Sequence, residues 1–278
     1  MKNAVMSLYL RSKDWRFDDD HYPLLLQNQK TYAHYIGADY LHYTENDGFE
    51  TYYRDMMERY PFLDHYLIVN FYKIQCMYRV LEEYDQVLYI DMDVHCMTRE
   101  SFFDSIDLSR GIAISEGMKA RTYLHAPTPN DEYSIETVYR DFTKRSPFSK
   151  YWNGRALCIN DGLPTIGVLN TGIVGSDRYH MEKLDYFGDF DYTMELCNEV
   201  IENGDGMFPQ DVVDLFGYDN ETIWAYKTVL NDVPYQDLDH WHVIFDSEFS
   251  YIPENTKFLH NIKKDFQYVK NHIQHLYE

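Results

Sequence analysis

Gln86-Val87-Leu88-Tyr89-Ile90 runs directly into Asp91-Met92-Asp93, and the reading of these eight residues decides the fold. The five-residue run is too apolar for a half-exposed strand, so it is expected to be a central parallel strand with both faces covered. The acids follow at its carboxyl end, where open α/β sheets bind their ligands. Residues two apart in extended chain point to one side, so both carboxylates are expected to face one hard cation. Two carboxylates fill only part of a Mg²⁺ or Mn²⁺ shell, leaving the rest to a diphosphate, water and room for one nitrogen ligand. The same Asp-x-Asp spacing occurs at Asp18/Asp20, Asp189/Asp191 and Asp237/Asp239, but only the copy at 91 follows a buried strand. Two acids buried there without a cation or hydrogen-bond donors would be costly.

Upstream, Leu67, Phe71, Ile74, Tyr78 and Leu81 recur at helical spacing and predict a helix leading into that strand. Ala4–Leu10 reads as a first buried strand, followed by a charged loop through Asp20. A helix between Pro23 and Gly37 and a strand over Asp39–Tyr43 come next. Downstream, strands are expected at Ile112–Ser115, at Thr165–Leu169 with Ile173–Val174, at Trp241–Phe245 and at Phe258–His260. Phe266, Val269, Ile273 and Leu276 predict a last helix. This alternation implies an α/β fold in one domain, 1–278: an open mixed, mainly parallel sheet flanked by helices. Residues 117–164, with several Pro and Tyr and with Trp152, read as an irregular inserted lid.

The chain carries 25 Lys+Arg against 46 Asp+Glu, a formal charge of −21. This excess of acid disfavours nucleic acid and anionic membrane surfaces, which bind through clustered bases. A 45% hydrophobic and 17% aromatic content supplies a packed core and excludes disorder. No run of apolar residues is long enough for a membrane helix and the N-terminus lacks a signal-peptide core, so a soluble, cytoplasmic protein is expected. Cys76, Cys96, Cys158 and Cys197 match no metal or redox spacing and are expected as buried thiols. The sequon Asn220-Glu221-Thr222 is a weak glycosylation signal without evidence of secretion. Neither GxxxxGK[ST] nor GxGxxG occurs, so no glycine-rich phosphate loop is expected.

Val87-Leu88-Tyr89-Ile90-Asp91-Met92-Asp93-Val94-His95-Cys96 resembles the metal-binding segment of GT-A glycosyltransferases, and further matches follow in order along nearly the whole chain. Tyr72-Lys73-Ile74-Gln75-Cys76 is similar to the Lys- or Arg-bearing helix that contacts the donor in the retaining family 8 enzymes, the glycogenin and lipopolysaccharide galactosyltransferase group. The segments 26–33 and 37–40 resemble the early helix and second strand of the related galactomannan and xylosyl-transferase families, family 34 among them. Ala113-Ile114-Ser115-Glu116 stands where those enzymes carry an acid near the donor sugar. Val168-Leu169-Asn170-Thr171-Gly172-Ile173 resembles their Asn-x-Gly strand, and Pro209-Gln210-Asp211-Val212 their Asp-Gln-Asp segment. Phe258-Leu259-His260-Asn261 is similar to the late His that completes the metal shell. Pro209 replaces an acid considered as a nucleophile, so the resemblance implies no covalent intermediate there.

The resemblance implies a glycosyltransferase moving a hexose or pentose from a nucleoside-diphosphate donor, UDP-sugar above all, to a hydroxyl of a carbohydrate acceptor, with retention of configuration. It implies Mn²⁺ or Mg²⁺ on Asp91, Asp93 and His260. Nucleotide-sugar contacts are implied for Ser7, Leu8, Tyr9, Lys73, Asp91, Met92, Asp93, Asn170, Lys263 and Lys264, and catalytic roles for Glu116, Gln210 and Asp211. Plainer readings stand beside these: a backbone-satisfying amide for Asn170, a helix cap for Asp211, a solvated pair for Lys263 and Lys264. An inverting reaction would instead need a carboxylate base such as Asp211 or Asp214. A haloacid-dehalogenase-like phosphatase using Asp91 and Asp93 is the rival enzyme, and a non-catalytic sugar-binding protein the rival of another class.

Overall fold

A computed structural model describes residues 1–10, 21–116, 153–164, 166, 169–203, 213, 216–238, 241–245, 252–262, 264 and 266. Five strands arrive as expected or nearly so: β1 (Asn3–Leu8), β2 (Asp39–Tyr43), β3 (Gln86–Ile90), β5 (Ile112–Glu116) and β9 (Phe258–Asn261). The others are β4 (Val94–Cys96), β6 (Leu169–Asp177), β7 (Tyr235–Gln236) and β8 (Val243–Phe245). The helices are α1 (Tyr22–Tyr35), α2 (Phe49–Arg59), α3 (His65–Glu83), α4 (Phe102–Ser105), α5 (Asn153–Asn160), α6 (Arg178–Leu184), α7 (Phe190–Asn203) and α8 (Asn220–Leu230).

Six strands form one sheet in the order β2-β1-β3-β6-β5-β7, parallel throughout except for β6, which runs against both neighbours. The expected mixed, mainly parallel sheet is therefore present. β3 lies at its centre with every residue buried. Val87 and Tyr89 pack into one apolar cluster and Leu88 and Ile90 into another, so the period of two serves two cores. The first core lies under α3 and α8, the second against Tyr32 and Ala33 of α1.

Four expectations change. Residues 165–174 were expected as two short strands, yet Leu169–Asp177 is one strand in which Gly172 and Gly175 mark close approach rather than a break. A Cβ on Gly175 would lie 2.5 Å from the Phe102 ring. Trp241–Phe245 and Phe258–His260 do not join the large sheet; with β4 they form a second, three-stranded sheet ordered β4-β9-β8. Residues 153–160, expected within the insert, form α5, whose Ala156, Leu157 and Cys158 are fully buried against the first core. Finally, α3 buries Ile68, Val69, Lys73 and Met77 besides its predicted face, because it is wedged among the sheet, α2, α6 and α8.

Asp64 caps α3 by accepting from Leu67 N at 2.8 Å, and Tyr84 continues the chain into β3. All four cysteines are buried thiols. Among the described residues no helix is long and apolar enough to cross a membrane. Residues 11–20, 117–152 and the predicted last helix beyond Phe266 lie outside the described residues.

Candidate metal centre and cleft

Asp91 follows β3 and Asp93 precedes β4, so the pair sits where the chain leaves one sheet for the other. The carboxylates converge through a tight turn, not the extended chain first expected: Val94 N donates to Asp91 O at 3.1 Å. Neighbouring elements hold this turn. Asp91 N donates to Gly172 O of β6 at 2.7 Å, and Asn261 N of β9 donates to Asp93 O at 3.0 Å. From α1, the buried Gln29 donates to Asp91 O at 2.9 Å and Val94 O at 3.0 Å, while Asn28 bonds both Cys96 O and Cys96 N.

His260 comes from β9, with Nε2 3.3 Å from Asp93 Oδ1 and 3.8 Å from Asp91 Oδ2. One ligand atom each from Asp91, Asp93 and His260 lies within 4.8 Å of the others. Two carboxylates and an imidazole fit Mn²⁺, or Mg²⁺ with more water. The ring has room only because residue 172 is glycine: a Cβ there would stand 2.3 Å from His260 Cε1. Behind it, His242 Nε2 is 3.1 Å from His260 Nδ1 and the rings stack with centroids 5.3 Å apart. His242 is fully buried, and its Nδ1 has no hydrogen-bond partner among the described residues.

Each acid also faces an ammonium. Lys264 Nζ donates to Asp93 Oδ2 at 2.7 Å, and Lys73 Nζ of α3 donates to Asp91 Oδ1 at 3.4 Å. Tyr89 O–H donates to the same Asp91 oxygen. Burial pushes the Asp93 carboxyl upward, but His260 and Lys264 beside it prevail and hold it well below the usual range. Burial, with Asp91 adding to it, raises the Tyr89 phenol, which therefore stays protonated as a donor.

A cleft of about 340 Å³ opens over the cluster, and Leu8, Lys73, Asp91, Met92, Asp93, Asn170, His260 and Lys264 of the expected set line it. Asn170 Oδ1 accepts from Gly172 N at 2.9 Å, the backbone-satisfying role weighed for it, while the residue also faces the cleft. Ser7 is fully buried and bonds Tyr40 at 2.7 Å and His42 at 2.8 Å. Tyr40 in turn donates to Gln29 Oε1 at 3.2 Å, so Ser7 supports the acidic turn indirectly. Tyr9 stacks on Tyr22 at 4.1 Å and packs against Met92 and Phe266. Glu116 accepts from Tyr235 O–H at 3.4 Å at the end of β5. Lys263, Gln210, Asp211 and Asp214 lie outside the described residues.

Sequence reasoning missed the wall facing α3. Asp219, Asn220 and Glu221, at the start of α8, line the cleft opposite Tyr66, Val69 and Asn70. Their signal was an N-cap pattern, Asp219 accepting from Glu221 N at 2.8 Å, which marks a helix start without saying what it faces. The sequon asparagine is part of this wall: Asn220 is buried and its amide donates to Thr171 Oγ1 at 2.6 Å, leaving no place for a glycan. Asp191, from another Asp-x-Asp copy, is an exposed partner of Arg59 at 3.0 Å, as acids away from buried strands usually are.

Two predictions arise directly. Replacing His242 by Phe removes the group that orients His260, and Mn²⁺ affinity is expected to fall roughly 10- to 100-fold with little loss of helix content. Manganese titration beside circular dichroism checks this, and unchanged affinity would show the pair to be packing alone. The second concerns acid. Burial lowers the His95 imidazole to about 4, against a smaller upward pull from Asp93, and puts His242 well below its ordinary value. Folded values below unfolded ones mean stability is complete above pH 6.5 and declines toward pH 4, by about 1.4 kcal/mol per pH unit for each histidine. Urea denaturation at pH 7, 6 and 5 is expected to show this slope, reduced in His95→Phe.

No family model and no curated protein matches the chain. Among solved structures it is similar to mouse xyloside xylosyltransferase 1 in its apo form, at 8% identity and a TM-score of 0.50, over 94% of this chain and 98% of that one. The galactosyltransferase LgtC, in complex with donor and acceptor sugar analogs, aligns at 11% identity and a TM-score of 0.49, over 99% and 95% of the two chains. The similarity to the xylosyltransferase establishes the fold, and the chain has the GT-A architecture.

Proposed function

We propose that the protein is a metal-dependent glycosyltransferase that moves a sugar from a nucleoside diphosphate, UDP by preference, to a hydroxyl of a carbohydrate acceptor. The observation that carries this reading is the convergence of Asp91, Asp93 and His260 with Lys73 and Lys264 in one cleft at the carboxyl end of β3. Three oxygen and nitrogen ligands suit a cation and two ammoniums suit phosphate, a combination that matches a metal-bound diphosphate.

A divalent cation held by Asp91, Asp93 and His260 would supply Lewis-acid stabilisation to the departing diphosphate. Lys73 and Lys264 would add positive charge on either side of the same oxygens, where a preorganised field acts most strongly. Gln29 and Asn28 keep the acidic turn in place. Asn170 and the wall from Asp219 to Glu221 offer amide and carboxylate partners for sugar hydroxyls. Glu116, Gln210 and Asp211 are assigned to the sugar and its anomeric carbon by family resemblance, as is retention, with the diphosphate taking the acceptor proton. Residues 1–278 would form one catalytic domain. The phosphatase reading rests on the acidic tripeptide alone, whereas the fold resembles a glycosyltransferase.

The test is a thermal-shift screen of UDP, GDP, CMP and dTDP, each with and without Mn²⁺, followed by donor hydrolysis with the nucleotide that binds. A metal-dependent shift with one nucleotide supports the proposal and names the donor class. Saccharide binding without any nucleotide or metal effect would favour the sugar-binding alternative, and loss of an aryl-phosphatase activity in Asp91→Asn would favour the phosphatase.

A further inference from the structure

The two oxygens of Asp93 are divided between unlike partners. Oδ1 faces His260 Nε2 at 3.3 Å, and Oδ2 is bonded to Lys264 Nζ at 2.7 Å, with the Asp93 side chain 9% exposed and that of Lys264 22%. Lys73 stands against Asp91 from the opposite side, its own side chain 6% exposed. Each of these two carboxylates thus has an ammonium partner before any ligand is counted, and Asp219 and Glu221 add negative charge to the same cleft.

The backbone of Lys264 is unusual. It lies in the left-handed region at φ +58°, with its N–H donating to Asn261 O at 3.0 Å. A long side chain there is disfavoured relative to Gly or Asn. Such strain is retained where the surrounding structure uses it, and here it carries the ammonium back over Asp93.

We infer that Lys264 is a displaceable counter-ion of the metal centre, paired with Asp93 until a cation and a diphosphate arrive together, when its ammonium transfers from the carboxylate to a phosphate oxygen. Competition for one carboxylate produces this coupling. A dication entering alone competes with an ammonium for Asp93. A diphosphate entering with it brings at least two negative charges and takes over the lysine, which releases the carboxylate to the cation. Cation and nucleotide therefore bind with strong positive cooperativity, and by linkage each raises the affinity of the other by the same factor. The step is an exchange of ion-pair partners in which no covalent bond changes. This inference rests on the transferase reading of the cleft.

The test is Mn²⁺ binding, followed by the electron paramagnetic resonance of free Mn²⁺, with and without UDP, in the wild type and in Lys264→Asn. Asparagine adopts the left-handed backbone readily and carries no charge, and Lys264→Gly serves as a second such variant. In the wild type, saturating UDP is expected to tighten Mn²⁺ by at least tenfold, and inorganic pyrophosphate to act in the same direction. Without nucleotide, Lys264→Asn is expected to bind Mn²⁺ at least threefold more tightly than the wild type, and its coupling to UDP is expected to shrink. Wild-type coupling together with equal or weaker Mn²⁺ binding in both variants overturns the counter-ion role and leaves the transferase reading intact. A wild type that binds Mn²⁺ but neither UDP nor pyrophosphate overturns both.

Discussion

Asp93→Ala is expected to lower sugar transfer by about 1000-fold or more, the loss that follows when several kcal/mol of leaving-group stabilisation disappear. The acid faces both His260 and Lys264, so in the proposed reading its removal would strip the cation of one anchor and leave two cationic or polar groups facing each other. Breaking a buried pair from one side typically costs about 3–5 kcal/mol, so the variant should also melt earlier in the absence of ligand. Asp93→Asn keeps the shape and separates the two effects. It should retain most of the stability while losing the Mn²⁺-dependent shift with nucleotide. A wild-type shift in either variant would remove Asp93 from the metal set.

Gly172→Ala should have the second-largest effect, although it adds a single methyl group. That carbon would stand 2.3 Å from His260 Cε1, 2.6 Å from His260 Nδ1 and 2.9 Å from Asn170 Oδ1. The backbone of β9 cannot retreat, because His260 is paired with Val94 on one side and Ile244 on the other. The ring must therefore turn, abandoning His242 and the two acids together. Overpacking of this kind costs about 1–3 kcal/mol, and loss of a correctly aimed ligand should weaken Mn²⁺ roughly 10- to 100-fold. Gly217→Ala is the control, since among the described residues nothing lies within 4 Å of a Cβ there and the melting temperature should hold. If Gly172→Ala binds Mn²⁺ like the wild type, His260 does not ligate from its observed position.

How far the sequence discloses this molecule depends on the kind of feature. β3 and its acids were legible because an unbroken apolar run ending in charge has few other readings. α1 was legible from Pro23 and Gly37, which bracket it closely. The direction of β6 was hidden, since strand polarity depends on which neighbour a strand meets. Its continuity was hidden too, because Gly172 and Gly175 look like interruptions until the His260 and Phe102 rings that occupy their missing side chains are seen. Two strands of the second sheet were expected, but their separation from the large sheet was hidden, as the three residues of β4 that join them are too few to show a period. In the site, Asp91, Asp93 and His260 come together from positions the family resemblance marked. Gln29 and His242 escaped notice because a lone polar residue in an apolar stretch looks alike whether it braces a turn, orients a ligand or merely satisfies itself.

The acidic turn lies between two sheets, and this placement matters beyond catalysis. Asp91 directly follows the central strand of the large sheet and His260 belongs to the small one, and the two are far apart along the chain. In polymer terms, an ion shared between them is a removable crosslink closing a long loop, and its worth grows with the conformational freedom it denies the unfolded chain. Chelation would then act as the cutting of a tether, loosening the seam between the sheets and speeding amide hydrogen exchange on both sides of it.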